Sequence, residues 1–187
     1  MTSNRTCPVL DIPSITTERL VLRGFTADDA EPLAAIHGDE RTMLYLGGVT
    51  DGTLLGAYDK ILAYLGHWAL NGFGRWAVVE KASGRMIGRT GFLDAPGEWP
   101  GCELGWTFSR DHWGKGYATE AATAARDFGF AKIGLARVFS MIHPENTPSQ
   151  AVARRLGETP WKPFTFKGND NMLWSITREE WLSRGGA

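Results

Sequence analysis

Apolar residues recur along this chain with two spacings, and these spacings predict where helices and strands lie. Between residues 52 and 70, Leu54, Tyr58, Ile61 and Leu65 return every three or four positions, as on one face of a helix. Elsewhere, short apolar or alternating runs bounded by turn-forming residues predict strands. The whole pattern predicts helices at 26–38, 52–70, 116–133 and 147–157, and strands at 20–23, 75–80, 86–93, 102–108, 137–143, 164–166 and 172–177.

The order of these elements predicts a mixed α/β fold. The turn at 82–84 joins two consecutive strands into an antiparallel hairpin. The helix at 116–133 crosses over between the fourth and fifth strands, which requires those two to run parallel. We therefore expect one mixed, mostly antiparallel sheet with helices on both faces.

No linker or repeat divides the chain, so the sequence predicts one domain. Residues 1–15 are expected to form an N-terminal arm, and residues 16–184 to form a single domain. Near the end of this domain, Thr147 is predicted as the N-cap of a helix, with Pro148 in its first turn and Gln150 completing a capping box.

The composition removes several functional classes. The 187 residues are 43% hydrophobic and 22% charged, which is ordinary for a globular domain and unlike a coiled coil or a disordered chain. The net charge of −1 gives no general attraction to nucleic acid or to an anionic membrane. The first residues lack the apolar core of a signal peptide. Cys7 and Cys102 show neither a disulfide nor a zinc pattern, so we expect a cytoplasmic protein.

A glycine-containing loop joins the strand at 102–108 directly to the helix at 116–133. Such a junction points backbone N–H groups and the positive end of the helix dipole at one spot, and Gly114 and Gly116 would let a phosphate approach them. The loop lacks a Walker lysine pattern, and Thr119 stands where a dinucleotide motif has its third glycine. Two interpretations remain: a cradle for a diphosphate, or simply a tight turn.

The strand at 102–108 also carries a candidate base. Its residues alternate, with apolar side chains on one face and Glu103, Gly105 and Thr107 on the other. A partly buried carboxylate beside a glycine is suited to act as a general base. The alternative is a structural ion pair between Glu103 and an arginine of a neighbouring strand, such as Arg89.

The remaining candidate residues add little chemistry. His37, His67, His112 and His143 have no metal-ligand spacing, and the first two are expected on helix surfaces. We predict no metal site. Trp99, in the loop before the Glu103 strand, is a candidate for the wall of an acceptor pocket.

Four segments together resemble the GNAT acetyltransferases, and in particular their RimJ/RimL-type branch. The most specific is E-L-G-W followed by W-G-K-G-Y-A-T-E-A within residues 103–121. The others are T-E-R-L-V-L-R at 17–23, N-T-P-S-Q-A-V-A-R-R-L-G at 146–157 and L-W-S-I-T-R-E-E-W at 173–181. The resemblance covers about residues 14–182.

This resemblance implies a sheet that splays open between its fourth and fifth strands, with acetyl-CoA in the opening. The pantetheine arm would add to the strand edge at Trp106, Thr107 and Phe108. Asn146 would contact the cosubstrate or a catalytic water, although it could equally be a residue that only precedes a helix. The pyrophosphate would lie on the amides of Trp113, Gly114, Lys115, Gly116, Tyr117 and Ala118.

The resemblance further implies transfer of an acetyl group to a primary amine, which is either a protein N-terminus or a small molecule, within a ternary complex. Glu103 would be the base. Ser149 would be the acid, because Ala153 stands where many relatives carry a tyrosine; the alternative is that Ser149 only stabilises its helix start. Asp111 also departs from the family's usual Gln or Arg. These departures leave a non-catalytic acyl-CoA-binding module as the alternative function.

The expected partner is the amine acceptor, with a homodimer as a candidate state. Neither nucleic acid nor a membrane is expected as a partner, because the chain has no excess of basic charge and no apolar run of about 20 residues.

Overall fold

The computed structural model describes residues 10–46 and 52–186, so Cys7 and most of the expected arm lie outside it. Its strands are β1 (Ile15–Thr16), β2 (Leu20–Arg23), β3 (Arg75–Glu80), β4 (Met86–Leu93), β5 (Cys102–Phe108), β6 (Arg137–Ile142), β7 (Thr159–Phe166) and β8 (Asn169–Thr177). Its helices are α1 (Ala30–Gly38), α2 (Glu40–Met43), α3 (Leu54–Asn71), α4 (Tyr117–Phe128), α5 (Thr147–Arg155) and α6 (Arg178–Ser183).

The strands form one sheet in the order β1-β2-β3-β4-β5-β6-β8-β7. Each neighbouring pair is antiparallel except β5 and β6, which are parallel. Within the described strands, β5 and β6 pair at Cys102–Val138 and Glu103–Phe139 and then separate. The predicted mixed, mostly antiparallel fold is confirmed, and the sheet opens beyond Glu103.

Helices cover both faces of the sheet. Ala77 faces α1 and α3, in a cluster that includes Leu33 and Ile61. On the opposite face, Leu104 packs with α4 through residues such as Ala121. This division follows from the alternation of the strands, which sends successive side chains to opposite faces.

The second half of the sheet differs from the sequence prediction. The strand predicted at 164–166 begins earlier, at Thr159, and its register against β8 shifts between Pro160 and Lys162. Pro160 and Pro163 argued against a strand here, because proline has no N–H to donate to a neighbouring strand. However, β7 is an edge strand, where proline is tolerated. The helix predicted at 116–133 is α-helical only to Phe128 and ends in a π turn.

Of the two helix histidines expected on the surface, His37 is buried and His67 is half-buried. His37 is buried against the sheet, and this burial, together with Lys60 and Arg75, lowers its pKa. The ring of His67 joins α3 to a neighbouring loop, because Nδ1 lies 2.7 Å from the Phe73 carbonyl and Nε2 accepts from the amide of Asp94. His67 is therefore a structural link.

Candidate active site

The loop after β5 forms a concave arrangement of backbone groups. Gly114 and Gly116 have φ values of +72° and +82°, a left-handed conformation that suits glycine. Gly116 is the N-cap of α4. The N–H groups of the first turn that follows, at Tyr117 and Ala118, have no acceptor within the helix. They are free to bind an anion, with the helix dipole adding to the attraction.

Glu120 anchors this loop to the edge of the sheet near the N-terminus. Its carboxylate accepts hydrogen bonds from the Thr17 hydroxyl at 2.6 Å, the Arg19 amide at 2.9 Å and the Arg19 Nε at 2.7 Å. Arg19 also donates to the Lys115 carbonyl at 2.9 Å and lies over the Tyr117 ring. The T-E-R-L segment and the glycine loop are thus one structural unit, a link that the sequence reasoning missed.

Replacing Glu120 with glutamine is expected to lower the free energy of unfolding by about 1–2 kcal/mol at neutral pH, since the charge-assisted bonds weaken. Burial raises the pKa of Glu120, but the bonds from Thr17 and Arg19 outweigh it and leave this pKa below its ordinary value. The stabilisation is therefore present above the unfolded pKa, about 4.3, and is lost as the pH falls through the folded pKa.

Thermal unfolding from pH 7 to pH 3 measures this effect. The difference in stability between the native chain and Glu120→Gln should shrink as the pH falls. Glu18→Gln is the control, because Glu18 is exposed nearby. A difference that stays constant with pH would show that the Glu120 charge contributes nothing.

The open edge of β5 presents part of its backbone to the cleft. The Ser109 amide donates to Ile87 of β4, so Thr107, two residues earlier, also directs its backbone at β4. The backbone groups of Trp106 and Phe108 point the other way, into the opening. The Phe108 carbonyl already accepts a hydrogen bond from the Trp113 indole at 2.9 Å.

Glu103, Trp106, Asn146 and Ser149 line one small cavity of about 50 Å³ where the sheet opens. The structure thus brings the two candidate catalytic residues together. The cavity is separate from a larger one of about 450 Å³ beside α1, whose lining residues include none of the predicted site residues.

Glu103 is ion-paired, but to Arg75 rather than to the expected Arg89. Nη2 of Arg75 lies 2.6 Å from Oε2 of Glu103. Arg75 lies in register with Gly91, and Gly91 with Gly105, so two glycines let the arginine cross β4 to reach β5. A Cβ at Gly105 would lie only 2.9 Å from the Arg75 guanidinium. The space beside Glu103 predicted from Gly105 is filled by this guanidinium.

The start of α5 brings Ser149 to the cavity. Asn146, not Thr147, is the N-cap, and its Oδ1 accepts from the Ser149 amide at 3.1 Å. The predicted capping box is wrong, because the Gln150 side chain donates to the Pro144 carbonyl instead. The side chain of Ser149 is only partly buried.

The two departures from the family pattern have different environments. Ala153 is fully buried in a cluster with Ile142 and Trp174, which places this position in the core. Asp111 is exposed, as expected from the sequence. Trp99 packs edge-on against Phe139 and Phe166 and is not among the residues that line the cleft.

Ser140 and Glu158, both missed from sequence, join β5 and β6 where their backbone pairing ends. The Ser140 hydroxyl lies 2.8 Å from the Leu104 carbonyl and 3.0 Å from the Glu158 carboxyl. Burial raises the pKa of Glu158 well above its ordinary value, against the opposing effect of the Ser140 contact. A hydroxyl has a single proton, so Ser140 can donate to only one of these two oxygens at a time.

The described part of the chain contains neither a metal-binding cluster nor a membrane-spanning helix. No group of His, Cys, Asp or Glu among residues 10–46 and 52–186 could hold a metal ion. In the same part of the chain, no helix is long and apolar enough to cross a bilayer.

Comparison with known proteins identifies the family of this site. A family model described as the acetyltransferase (GNAT) domain matches residues 19–159. The chain belongs to the GNAT acetyltransferases. It is therefore an acyltransferase, and members of this family use acetyl-CoA as the acetyl donor.

Relatives in the same family match nearly the whole chain. The uncharacterized N-acetyltransferase YnaD of Bacillus subtilis (strain 168) is 31% identical over 89% of this chain and 98% of its own length. The crystal structure of the acetyltransferase from Agrobacterium tumefaciens str. C58 is 32% identical, with a TM-score of 0.78 over 89% of this chain and 95% of that one.

A ribosomal-protein-S5-alanine acetyltransferase from Vibrio fischeri has a TM-score of 0.75 over 91% of this chain and 99% of its own. Its sequence identity is 20%, so this likeness shows the shared fold alone.

Proposed function

We propose that this GNAT acetyltransferase transfers an acetyl group from acetyl-CoA to a primary amine by direct attack in a ternary complex. The observation that carries the proposal is the meeting of Glu103 and Ser149 in one cavity beside the open edge of β5. Holding both reactants in line there would supply about 7 kcal/mol or more of the rate enhancement.

The backbone of the loop and strand would hold the cosubstrate. The Trp113 amide, expected among the pyrophosphate contacts, instead donates to the Arg110 carbonyl at 3.1 Å. The N–H groups of residues 114–118 would bind the pyrophosphate, and the open space at Gly114 favours this, because a Cβ there would meet nothing within 4 Å. The backbone of Trp106 and the amide of Phe108 would bind the pantetheine arm as an added strand. The Trp106 amide would also polarise the thioester carbonyl.

Glu103 would remove the proton from the acceptor ammonium, directly or through a water. The neutral amine then attacks the thioester carbonyl, forming the C–N bond as the C–S bond breaks. The Arg75 ion pair would fix the carboxylate in one orientation, because it ties Oε2 to a guanidinium that is itself buried. Arg75 is therefore a positioning residue.

Ser149 would give its proton to the departing thiolate, and Asn146 would hold the first turn of α5 in place beside it. The cap between Asn146 and the Ser149 amide supports this assignment, since it fixes the backbone from which the hydroxyl projects.

Replacing Ser149 with alanine is expected to lower turnover about 10- to 100-fold, at the weak end of general-acid effects. The defect should shrink as the pH approaches the thiol's pKa, about 8.5 by analogy with cysteine, because the thiolate then leaves unaided. Turnover from pH 6 to 9.5 and the CoA dissociation constant are the measurements.

Thr147→Ala is the control, a neighbouring hydroxyl in the same helix turn. A defect in Ser149→Ala that is independent of pH and matched by weaker CoA binding would make Ser149 a cosubstrate contact.

We place the protein in the cytoplasm and keep both a protein N-terminus and a small amine as acceptors. The RimJ/RimL-type segments favour the N-terminus, and a homodimer remains a candidate state. The alternative is an acyl-CoA-binding module without catalysis, which the buried Ala153 at the usual tyrosine position favours. Release of free CoA from acetyl-CoA with a panel of amines and peptides separates these functions.

A further inference from the structure

The cleft contains more positive than negative charge. Two arginines and one carboxylate line it, namely Arg75, Arg89 and Glu103. Arg75 and Glu103 neutralise each other through their ion pair. Among the described residues, no carboxylate lies within salt-bridge distance of Arg89.

Arg89 is a buried cation, with only 8% of its surface exposed. Its Nε and Nη1 are buried without a hydrogen-bond partner among the described residues. Its guanidinium lies 5.8 Å from the centre of the Tyr64 ring, a contact that offsets only part of the cost of burying the charge. A buried and unpaired guanidinium is costly, so an unpaired one in a cleft indicates an anion that arrives from outside.

The other ionisable groups nearby do not supply this anion. His37, also buried on this side of the sheet, would be neutral or cationic and carries no negative charge. Glu158 is on the far side of the opening, where its carboxyl contacts Ser140. The hydroxyl of Thr107, opposite Arg89 on β5, is likewise buried without a partner in the described part of the chain. A hydroxyl and a guanidinium together match a carboxylate, which accepts from both.

We propose that the acceptor carries a carboxylate close to its amine, and that Arg89 binds this carboxylate. The inference rests on the proposed acetyl transfer, which places the amine at Glu103. Arg89 lines the same cavity as Glu103, and the cavity's volume of about 50 Å³ suits a group of a few atoms. The acceptor class is therefore amino acids or similarly small amino-carboxylates, rather than neutral amines.

The experiment compares acceptors that differ in one charge. Amino acids are tested against their amides, with kcat/KM measured by CoA release. The amine of an amino-acid amide is less basic than that of the free amino acid, so a larger fraction of it is neutral at a given pH. Basicity alone therefore favours acetylation of the amide. The native chain should nevertheless prefer the carboxylate, and Arg89→Met should lower kcat/KM for the carboxylate by about 30-fold or more while changing the amide by less than about threefold.

Two further variants separate charge from folding. Arg89→Lys should keep part of the carboxylate preference that Arg89→Met loses, because the lysine ammonium retains the positive charge but cannot make the two parallel hydrogen bonds of a guanidinium. Arg85→Met is the matched control, an exposed arginine in the turn that leads into β4. Thermal unfolding should show that Arg89→Met is at least as stable as the native chain, since it removes an unpaired buried charge.

A binding titration makes the test independent of turnover. N-acetylated amino acids and their amides are titrated into the native chain loaded with CoA. If the carboxylates bind more tightly than the amides but no acetyl group is transferred, the assignment of Arg89 as a carboxylate site stands and the proposed function is contradicted. If the native chain binds the carboxylates and the amides equally and acetylates both acceptor series at equal rates, the inference is overturned, whether or not the Arg89 variants fold.

Discussion

Replacing Glu103 with glutamine is expected to lower turnover at neutral pH by about 10²- to 10⁴-fold, the usual contribution of a general base. Glutamine keeps the shape of the side chain and can still accept a hydrogen bond from Arg75, so the cleft should retain its geometry. The affinity for acetyl-CoA should change little, because the cosubstrate would bind the loop and the edge of β5. Turnover is measured from pH 6 to 9, with the CoA dissociation constant alongside.

Glu98→Gln is the control for this variant, because Glu98 lies in the exposed loop before β5. Full activity of Glu103→Gln across this pH range would make Glu103 a structural partner of Arg75. The base would then be another residue, or water acting on an amine that is already neutral.

Replacing Gly116 with valine is expected to weaken CoA binding by on the order of 100-fold or more. Gly116 has a φ of +82°, and a Cβ there would lie 3.4 Å from the Arg19 guanidinium. A branched side chain disfavours this left-handed backbone and would therefore shift the amides proposed to hold the pyrophosphate, and each hydrogen bond to a charged group is worth about 1.5–3 kcal/mol. Calorimetric titration with CoA gives the affinity.

Gly72→Val separates loss of the cradle from backbone strain. Gly72 ends α3 with φ 72° and ψ 7°, close to the 82° and −1° of Gly116, and nothing lies within 4 Å of its Cβ position. Both variants should lose similar stability, and only Gly116→Val should lose CoA binding. Unchanged affinity in a folded Gly116→Val protein would contradict the assignment of the cradle.

Local features of the site could be predicted from sequence, because short segments determine them. Three parts of the site are consecutive along the chain: the strand of Glu103, the loop of Gly114 and Gly116, and the helix that follows. Their spacing alone therefore indicates how they are arranged. The parallel pairing of β5 and β6 followed from one crossover helix, whereas the opening between them was implied only by the family resemblance. The N-cap of α5 was predicted one residue too late, at Thr147 instead of Asn146, because both residue types are good caps.

Pairings between distant segments could not be predicted. Arg75 reaches Glu103 only because Gly91 and Gly105 share one register row, and a single sequence does not fix that register. The bonds from Thr17 and Arg19 to Glu120 likewise span about a hundred residues. The raised pKa of the Glu158 carboxyl results from burial, and burial depends on tertiary packing that the sequence does not show.

Acetyl transfer to an amine is tested most directly by following acetyl-CoA and an amine acceptor in one reaction. The native chain should release free CoA only when a primary amine is present, in amounts equal to the acetylated amine found by mass spectrometry. Glu103→Gln should bind CoA normally and give neither product at a comparable rate. Tight binding of CoA with no release that depends on an amine, over the full panel of amino acids, small amines and peptides, would contradict catalysis and leave a binding module.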